Sequence, residues 1–205
     1  MNADGTMPAR RTNSAIDASP AWSPDGTKIA FARGVGSKWD IYVINADGTS
    51  KVPTQLTSNP AIDATPAWGP GGKIAFSSTR AGNPEIYLMP AAGEACKPGC
   101  TAATRLTTNS AIDTSPAWLG TRIAFASTRD GNSEIYVMNA DGTAVTRLTT
   151  NPASDAAPAG SSDGQRIAFA STRDDPNSEI YLMNADGTAV TRLTTNPASD
   201  TFPDW

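Results

Sequence analysis

Five aspartates recur along this sequence at nearly even intervals, and carboxylates are its most numerous groups able to bind a cation or a basic peptide. Successive members stand 42 to 50 residues apart, each just before a short segment that contains Pro and an aromatic residue or Gly. They are Asp17, Asp63, Asp113, Asp155 and Asp200. One interpretation is a cation site or a dock for a basic peptide. The other is a structural cap that accepts backbone N–H bonds. Repetition favours the cap, because fold-maintaining residues must recur whereas a binding site need not.

The only two cysteines, Cys96 and Cys100, flank Lys-Pro-Gly. This spacing permits a small disulfide ring across a turn, and the alternative is two free thiols on a loop. Exposed thiols in a chain with no other cysteine slightly favour the disulfide and an oxidising compartment. Because the chain has no histidine and no further cysteine to complete four ligands, a zinc site around this pair is not expected. We therefore expect neither a metal site nor a cofactor.

The absence of histidine also bears on catalysis, since Ser-His-Asp and Cys-His hydrolysis both need an imidazole. Carboxylate pairs occur throughout the chain, so their presence does not indicate a glycosidase. The sequence thus predicts a protein that is not an enzyme and has no catalytic residues.

Charge and hydropathy limit the classes of partner that the chain could bind. The net charge is −4 and the arginines are dispersed, so we expect no nucleic-acid partner. No apolar stretch approaches the roughly 20 residues that a membrane-spanning helix needs, and we predict no membrane span. The 39% of hydrophobic residues fits a single globular domain.

The dominant signal is a tandem repeat, and it predicts how these residues are positioned. Each unit reads as four short strands joined by turn sequences such as Asn-Ala-Asp-Gly, whose glycine supplies positive φ. The second unit carries an insertion of about seven residues that contains both cysteines. We predict one domain over 1–205. Its complete units span approximately 18–57, 64–107, 114–149 and 156–194, with a partial unit from 1–12 and 200–205.

The strand composition distinguishes between architectures. Segments such as Ile123–Ala126 and Ile135–Met138 are apolar on both faces, whereas a sandwich strand normally alternates because one face meets water. A four-stranded antiparallel sheet buried on both faces must lie between two others. Such sheets arranged around an axis form an all-β propeller, and the repeat length fits that class. A solenoid is the alternative, but its repeats are usually shorter.

The motif of residues 17–31, together with that of residues 127–142 and a following Thr-Arg-Leu-Thr, resembles the TolB-type propeller repeat, also called the WD40-like PD40 repeat. The resemblance recurs four times in register over nearly the whole chain. It implies that the first strand of each unit lines a central channel, so the five aspartates would ring one mouth of it. Full propellers of this family commonly have more units than this chain.

Residues 2–17 match the end of a unit and residues 200–205 match the start of one. Four units could close alone, the ends could form a small fifth unit, or two chains could combine into a larger ring. The chain could also be a piece of a longer array. An open arc would expose apolar sheet faces, which favours closure between chains and a homo-oligomer.

Positions that break the repeat are candidates for a partner surface. Trp39 stands where other units carry Pro or Ser and is expected to be exposed; the Cys96–Cys100 loop is an added projection; Gly160 replaces a tryptophan and is expected to leave a gap.

These observations predict a non-enzymatic protein-binding or scaffold propeller with a protein or peptide partner. The alternative is the propeller portion of a larger peptidase or hydrolase, gating a catalytic domain that is not in this sequence. A third possibility is an assembling array without a ligand. The resemblance to TolB implies a periplasmic or extracellular setting.

Overall fold

The computed structural model describes residues 9–12, 16–91, 103–174, 176–195 and 197–205. Within them, sixteen strands form four sheets of four strands each, and the only helical element is a short 3-10 turn at Pro70–Gly72. Neighbouring strands in each sheet are consecutive in sequence and antiparallel. The all-β fold of four-stranded antiparallel units is therefore confirmed.

The strands are numbered in chain order, four to a sheet. The first sheet contains β1 (Asp17–Trp22), β2 (Lys28–Val35), β3 (Lys38–Asn45) and β4 (Thr54–Gln55). The second contains β5 (Asp63–Gly69), β6 (Lys73–Ser78), β7 (Glu85–Pro90) and β8 (Thr104–Arg105). The third contains β9 (Asp113–Leu119), β10 (Arg122–Ser127), β11 (Glu134–Asn139) and β12 (Thr146–Arg147). The fourth contains β13 (Asp155–Gly160), β14 (Arg166–Ser171), β15 (Glu179–Asn184) and β16 (Thr191–Arg192).

The core lies between sheets, as apolar residues on both strand faces predict. One buried cluster joins the first and second sheets through Ile41 and Phe76, and another joins the second and third through Ile86 and Phe125. A third cluster, which includes Phe169, joins the third and fourth sheets. Because the apolar area removed from water drives folding, each sheet depends on its neighbours for stability.

The sheets converge along one edge. The first strands β1, β5, β9 and β13 contact one another in succession, and these are among the most extensive contacts between neighbouring sheets. We call the side on which they meet the inner edge, and the side of the short fourth strands the outer edge. This convergence is the arrangement of propeller blades around an axis.

Two segments lie beyond the four sheets. Residues 197–205 have no assigned strand, yet the Asp200 amide donates to the Ser178 carbonyl at 2.7 Å. The Asp155 amide makes the same bond to Ser133, at 2.8 Å. The segment 197–205 therefore lies against the fourth sheet, at the place where the first strand of a further unit would lie.

Candidate functional site

In three sheets, an arginine reaches back from the loop after the second strand to the aspartate that begins the first strand. The Nη2 atoms of Arg80, Arg129 and Arg173 lie 2.8, 3.0 and 2.7 Å from the Oδ2 atoms of Asp63, Asp113 and Asp155. Each guanidinium also lies over the Phe and Tyr rings of its own sheet, 4.6 Å from the Tyr136 centroid in the third. Charge pairing and cation–π attraction together fix the inner edge of each sheet.

The predicted aspartate ring is thus distributed one member to each unit. The carboxylates of Asp63, Asp113 and Asp155 are fully buried, and in each the Oδ1 atom has no hydrogen-bond partner among the described residues. The Oδ2 of Asp113 also accepts from Asn109 at 2.6 Å. The cap interpretation expected backbone N–H groups to donate to these carboxylates. In the structure, side chains donate to them instead. Within the described residues, no group of three or more acidic or cysteine side chains could hold a metal ion.

Asp17 differs from these three because its carboxylate is half-buried. Both of its oxygens accept from Arg33, at 2.7 and 3.0 Å. The hydrogen bond from Arg33 holds the pKa of Asp17 below its usual value. Asp200 is the fifth member, and its backbone joins the segment 197–205 to the fourth sheet.

A second repeated contact joins neighbouring units. The Asn132 side-chain amide, in the loop before β11, donates to the carbonyl oxygens of Asn151 and Ala153 at 2.8 and 2.6 Å. Asn83 makes the corresponding bond to Asn109, and Asn177 donates to Pro197, one residue further along its linker. These bonds stabilise the linkers that lead from one sheet to the next.

The outer edge carries a third repeated group. Arg147 on β12 donates to the buried Glu134 on β11 at 2.7 Å and to the Thr149 carbonyl at 2.6 Å. Arg105 and Arg192 repeat this arrangement with Glu85 and Glu179. The buried glutamates thus bond to the strand-four arginines, whereas the loop arginines bond to the aspartates of the inner edge.

The inner edge has one feature that the sequence analysis did not identify. Each first strand bulges by one residue against its second strand, and the bulged residue has a positive φ although it is not glycine. These four residues, which we call the inner rim, are Ser19, Thr65, Ser115 and Ala157, with φ of 51°, 48°, 51° and 48°. Each stands directly before a proline, which was the available sequence signal. Backbone strain of this kind clusters at functional positions.

The prolines that follow the inner-rim residues limit strand pairing along the inner edge. Because proline lacks an N–H, each first strand cannot be extended by regular pairing at that point. The rim residues are exposed in the first sheet and half-buried in the other three. The inner edge is therefore a row of at least partly exposed side chains on strands that resist regular pairing with a further strand at this point.

The three positions that break the repeat have separate outcomes. Trp39 is half-buried against the cluster between the first and second sheets, so the expectation that it is exposed was wrong. Gly34 leaves room for its ring, since a Cβ there would lie 2.9 Å from it. The Cys96–Cys100 loop lies outside the described residues.

Gly160 leaves no gap, contrary to expectation. A Cβ at this position would lie 2.2 Å from the carbonyl oxygen of Trp118. The backbone of β13 has therefore moved onto β9 and fills the space that a side chain would take. Separately, no helix in the described part of the chain is long and apolar enough to cross a membrane.

Comparison with known proteins agrees with this geometry. Residues 9–101 match the family described as TolB beta propeller domain, PD40. A putative TolB from Agrobacterium tumefaciens is 27% identical with a TM-score of 0.73, over 86% of this chain and 64% of that one. TolB from Acinetobacter baumannii is 27% identical with a TM-score of 0.76, over 91% of this chain and 45% of that one. The chain thus spans less than two thirds of either.

A more distant similarity concerns the fold alone. A puromycin-hydrolyzing peptidase from Mycobacterium tuberculosis is 18% identical with a TM-score of 0.67, over 87% of this chain and 29% of that one.

Proposed function

Because this chain carries TolB-type PD40 propeller repeats, we propose that it is a non-enzymatic binding module whose inner rim contacts a protein or peptide. The observation that supports this proposal is that the strained residues Ser19, Thr65, Ser115 and Ala157 remain at least partly exposed along one edge. Strained backbone persists only where the surrounding structure holds it, and it commonly serves a site.

Chemistry at the rim also favours binding over catalysis. Behind it, the acidic and basic groups are paired, as Asp113 with Arg129, and these pairs support the edge. In front of it, the rim side chains are small and their backbone positions are equivalent. A rigid edge of this kind suits recognition, because little ordering entropy is lost when a partner binds.

The sign of the charge suggests the class of partner. The chain has 20 acidic and 16 basic residues, giving a net charge of −4. A cleft of one sign concentrates ligands of the opposite sign, so we propose a partner segment rich in Lys and Arg. In this proposal the attraction comes from the chain's overall excess of acidic groups, because Asp17, Asp63, Asp113 and Asp155 are each paired with an arginine.

The cellular location of the chain and its assembly are parts of the same proposal. The similarity to TolB proteins supports a periplasmic or extracellular location. We also propose that copies of the chain associate through the faces of the end sheets. The second candidate function is the propeller portion of a larger peptidase, favoured by the shared fold of the puromycin-hydrolyzing enzyme. A hydrolase domain encoded by the same gene would decide for it.

The binding proposal is tested by panning a displayed peptide library on the purified chain. Enriched peptides should be basic, and their affinity for the purified chain is then measured by calorimetry. The double variant Ser115→Arg, Ala157→Arg should weaken binding by about tenfold or more, because it adds bulk and positive charge at adjacent rim positions.

The matched control is Val145→Arg. Val145 is exposed on the outer edge, so this substitution adds the same side chain away from the rim. Circular dichroism verifies that each variant is folded. Enrichment of no peptide, or equal binding by the rim variant and the control, would refute the binding role.

A further inference from the structure

Every junction between neighbouring units uses the first-strand tryptophan where one is present. Trp118 lies against Gly69 of the preceding sheet and donates its Nε1–H to the Ala67 carbonyl at 3.1 Å. Trp205, in the segment 197–205, donates in the same way to the Ala159 carbonyl of the fourth sheet at 2.8 Å. Each tryptophan thus identifies which face of its unit meets the unit before it.

A second junction contact lies on the outer edge. Gly142, in the turn after β11, approaches Leu106 of the preceding unit so closely that a Cβ would lie 2.7 Å from the Leu106 carbonyl. Gly187 approaches Leu148 in the same way. Leu106 is only 9% exposed as a result.

The two end sheets expose opposite halves of this junction. On the first sheet, Trp22 is 58% exposed, whereas Trp68 and Trp118 are half-buried. Trp22 borders a depression with Gly26, Thr27 and Ala46. On the fourth sheet, Leu193 is 55% exposed, although its counterpart in the second sheet is buried.

The other half of each junction is already filled by one of the two additional segments. Arg10 Nε donates to the Thr12 carbonyl at 2.7 Å, as Arg105 does to Thr107 at 2.6 Å. Arg11 Nη1 also donates to the Asp47 carbonyl of the first sheet at 3.4 Å. Residues 9–12 therefore occupy the fourth-strand place beside the first sheet and leave its inner half uncovered. Residues 197–205 occupy the first-strand place on the fourth sheet and leave its outer half uncovered.

These halves are complementary, and we infer that a second copy of the chain docks head to tail on the first sheet. Trp22 of one copy packs on residues 203–205 of the other and donates its Nε1–H to the Asp204 carbonyl. Asp204 holds the repeat position of Ala67 and Ala159, the two acceptors observed within the chain. The inference deepens the assembly part of the proposed function and is independent of peptide binding at the rim.

Such a contact is heterologous, since it joins two different surfaces. Repetition of one heterologous contact closes a ring when the rotation permits and otherwise gives an open filament. We therefore expect association that rises with concentration. Trp22 contributes an apolar ring to this contact and no ion pair is part of it, so association should persist when salt is added.

The test is sedimentation velocity on the purified full chain over a wide range of concentrations. The wild type should form dimers or larger species reversibly. Trp22→Ala should weaken association by about tenfold or more, since tryptophans at interface centres dominate binding energy. Trp22→Phe keeps an aromatic ring without the N–H donor and should fall between the two.

Val52→Ala is the matched control. Val52 is 78% exposed, and its counterparts Val145 and Val190 remain exposed, so no neighbouring unit covers this position. The control should associate as the wild type does. A wild-type chain that is monomeric at every concentration would overturn the inference, as would equal association by Trp22→Ala and the control. Peptide binding, measured separately, would be unaffected by either result.

Discussion

Gln55 Nε2 lies 3.1 Å from Asp40 Oδ2 in the first sheet, at the place where each of the other three sheets pairs an arginine with a glutamate. Burial raises the pKa of Asp40 above its usual value, and the neighbouring Lys38 only partly offsets this effect. The first unit therefore holds a buried carboxylate without the guanidinium that the repeat provides elsewhere.

We predict that Gln55→Arg stabilises the chain by about 1 kcal/mol, because a hydrogen bond from a charged donor replaces a neutral one. A raised folded-state pKa means that stability contributed by the protonated Asp40 is lost as the pH rises through it. The gain from Gln55→Arg should therefore grow from acidic to neutral pH. Urea unfolding at several pH values measures it.

The reverse substitution, Arg147→Gln, is the control for this effect in the third sheet. It removes the 2.7 Å bond to the buried Glu134 and should destabilise by about 1–2 kcal/mol. A loss of stability in Gln55→Arg would show that the first unit has repacked around glutamine and cannot accommodate the repeat's ion pair.

The pair of Asp113 and Arg129 gives a second prediction. Asp113→Ala removes the acceptor of a 3.0 Å ion pair whose carboxylate is fully buried. The change should lower the free energy of unfolding by about 3 kcal/mol, because Arg129 loses its partner in a partly buried place. Thermal and urea denaturation measure the loss.

Asp204→Ala removes an exposed carboxylate and should change stability by no more than about 0.5 kcal/mol. Similar losses in the two variants would mean that the ion pair adds nothing beyond general effects of charge.

The fold was accessible from the sequence because its signals are local and repeated. Strands such as Ile123–Ala126 and turns such as Asn139–Gly142 follow from apolar composition and from glycine with positive φ. Arg129 was harder to assign, because Glu134 and Asp113 are both acidic and the sequence does not say which one lies beside it. Only the register of β9 against β10 brings Asp113 opposite Ser127, next to the arginine.

The candidate site was less accessible for a related reason. Ser115 is an ordinary residue in sequence, and its positive φ arises from a bulge that the pairing of β9 with β10 imposes. Trp39 was wrongly expected to be exposed, since nothing local indicates that Gly34 makes room for its ring. Contacts between strands decide these features.

Tyr181 provides a prediction at alkaline pH. Burial, together with a hydrogen bond to Asp174 at 2.6 Å, raises the pKa of Tyr181 to about 12 from a model-compound value of 10.0. A raised folded-state pKa gives stability that is present at lower pH and is lost as the pH rises from 10.0 toward 12. Unfolding free energy should fall over that range.

Spectrophotometric titration should show at least one of the four tyrosines ionising late, and Tyr181→Phe should remove part of the late step. Four tyrosines that ionise together near their ordinary pKa would contradict this environment.

Glycines in the Asn-Ala-Asp-Gly turns give a fourth prediction. Gly142 has φ of 85°, and a Cβ there would lie 2.7 Å from the Leu106 carbonyl oxygen. Gly142→Ala should cost about 2–4 kcal/mol, from backbone strain together with the close contact between units.

Gly26→Ala separates the two causes, because Gly26 has φ of 67° and no atom within 4 Å of its Cβ position. It should cost about 1 kcal/mol through strain alone. Equal costs at the two positions would show that Leu106 yields without penalty.

The hydrogen bonds that Asn83, Asn132 and Asn177 donate to the next linker bear on how genes for repeated units evolve. Because one asparagine bonds the following segment at each of these joins, duplication or deletion of a whole unit by recombination leaves equivalent joins on both sides. The number of units can then change during evolution while the hydrogen bonds at each join are kept. The length of the inner edge would change in steps of one unit, without any new contact having to evolve.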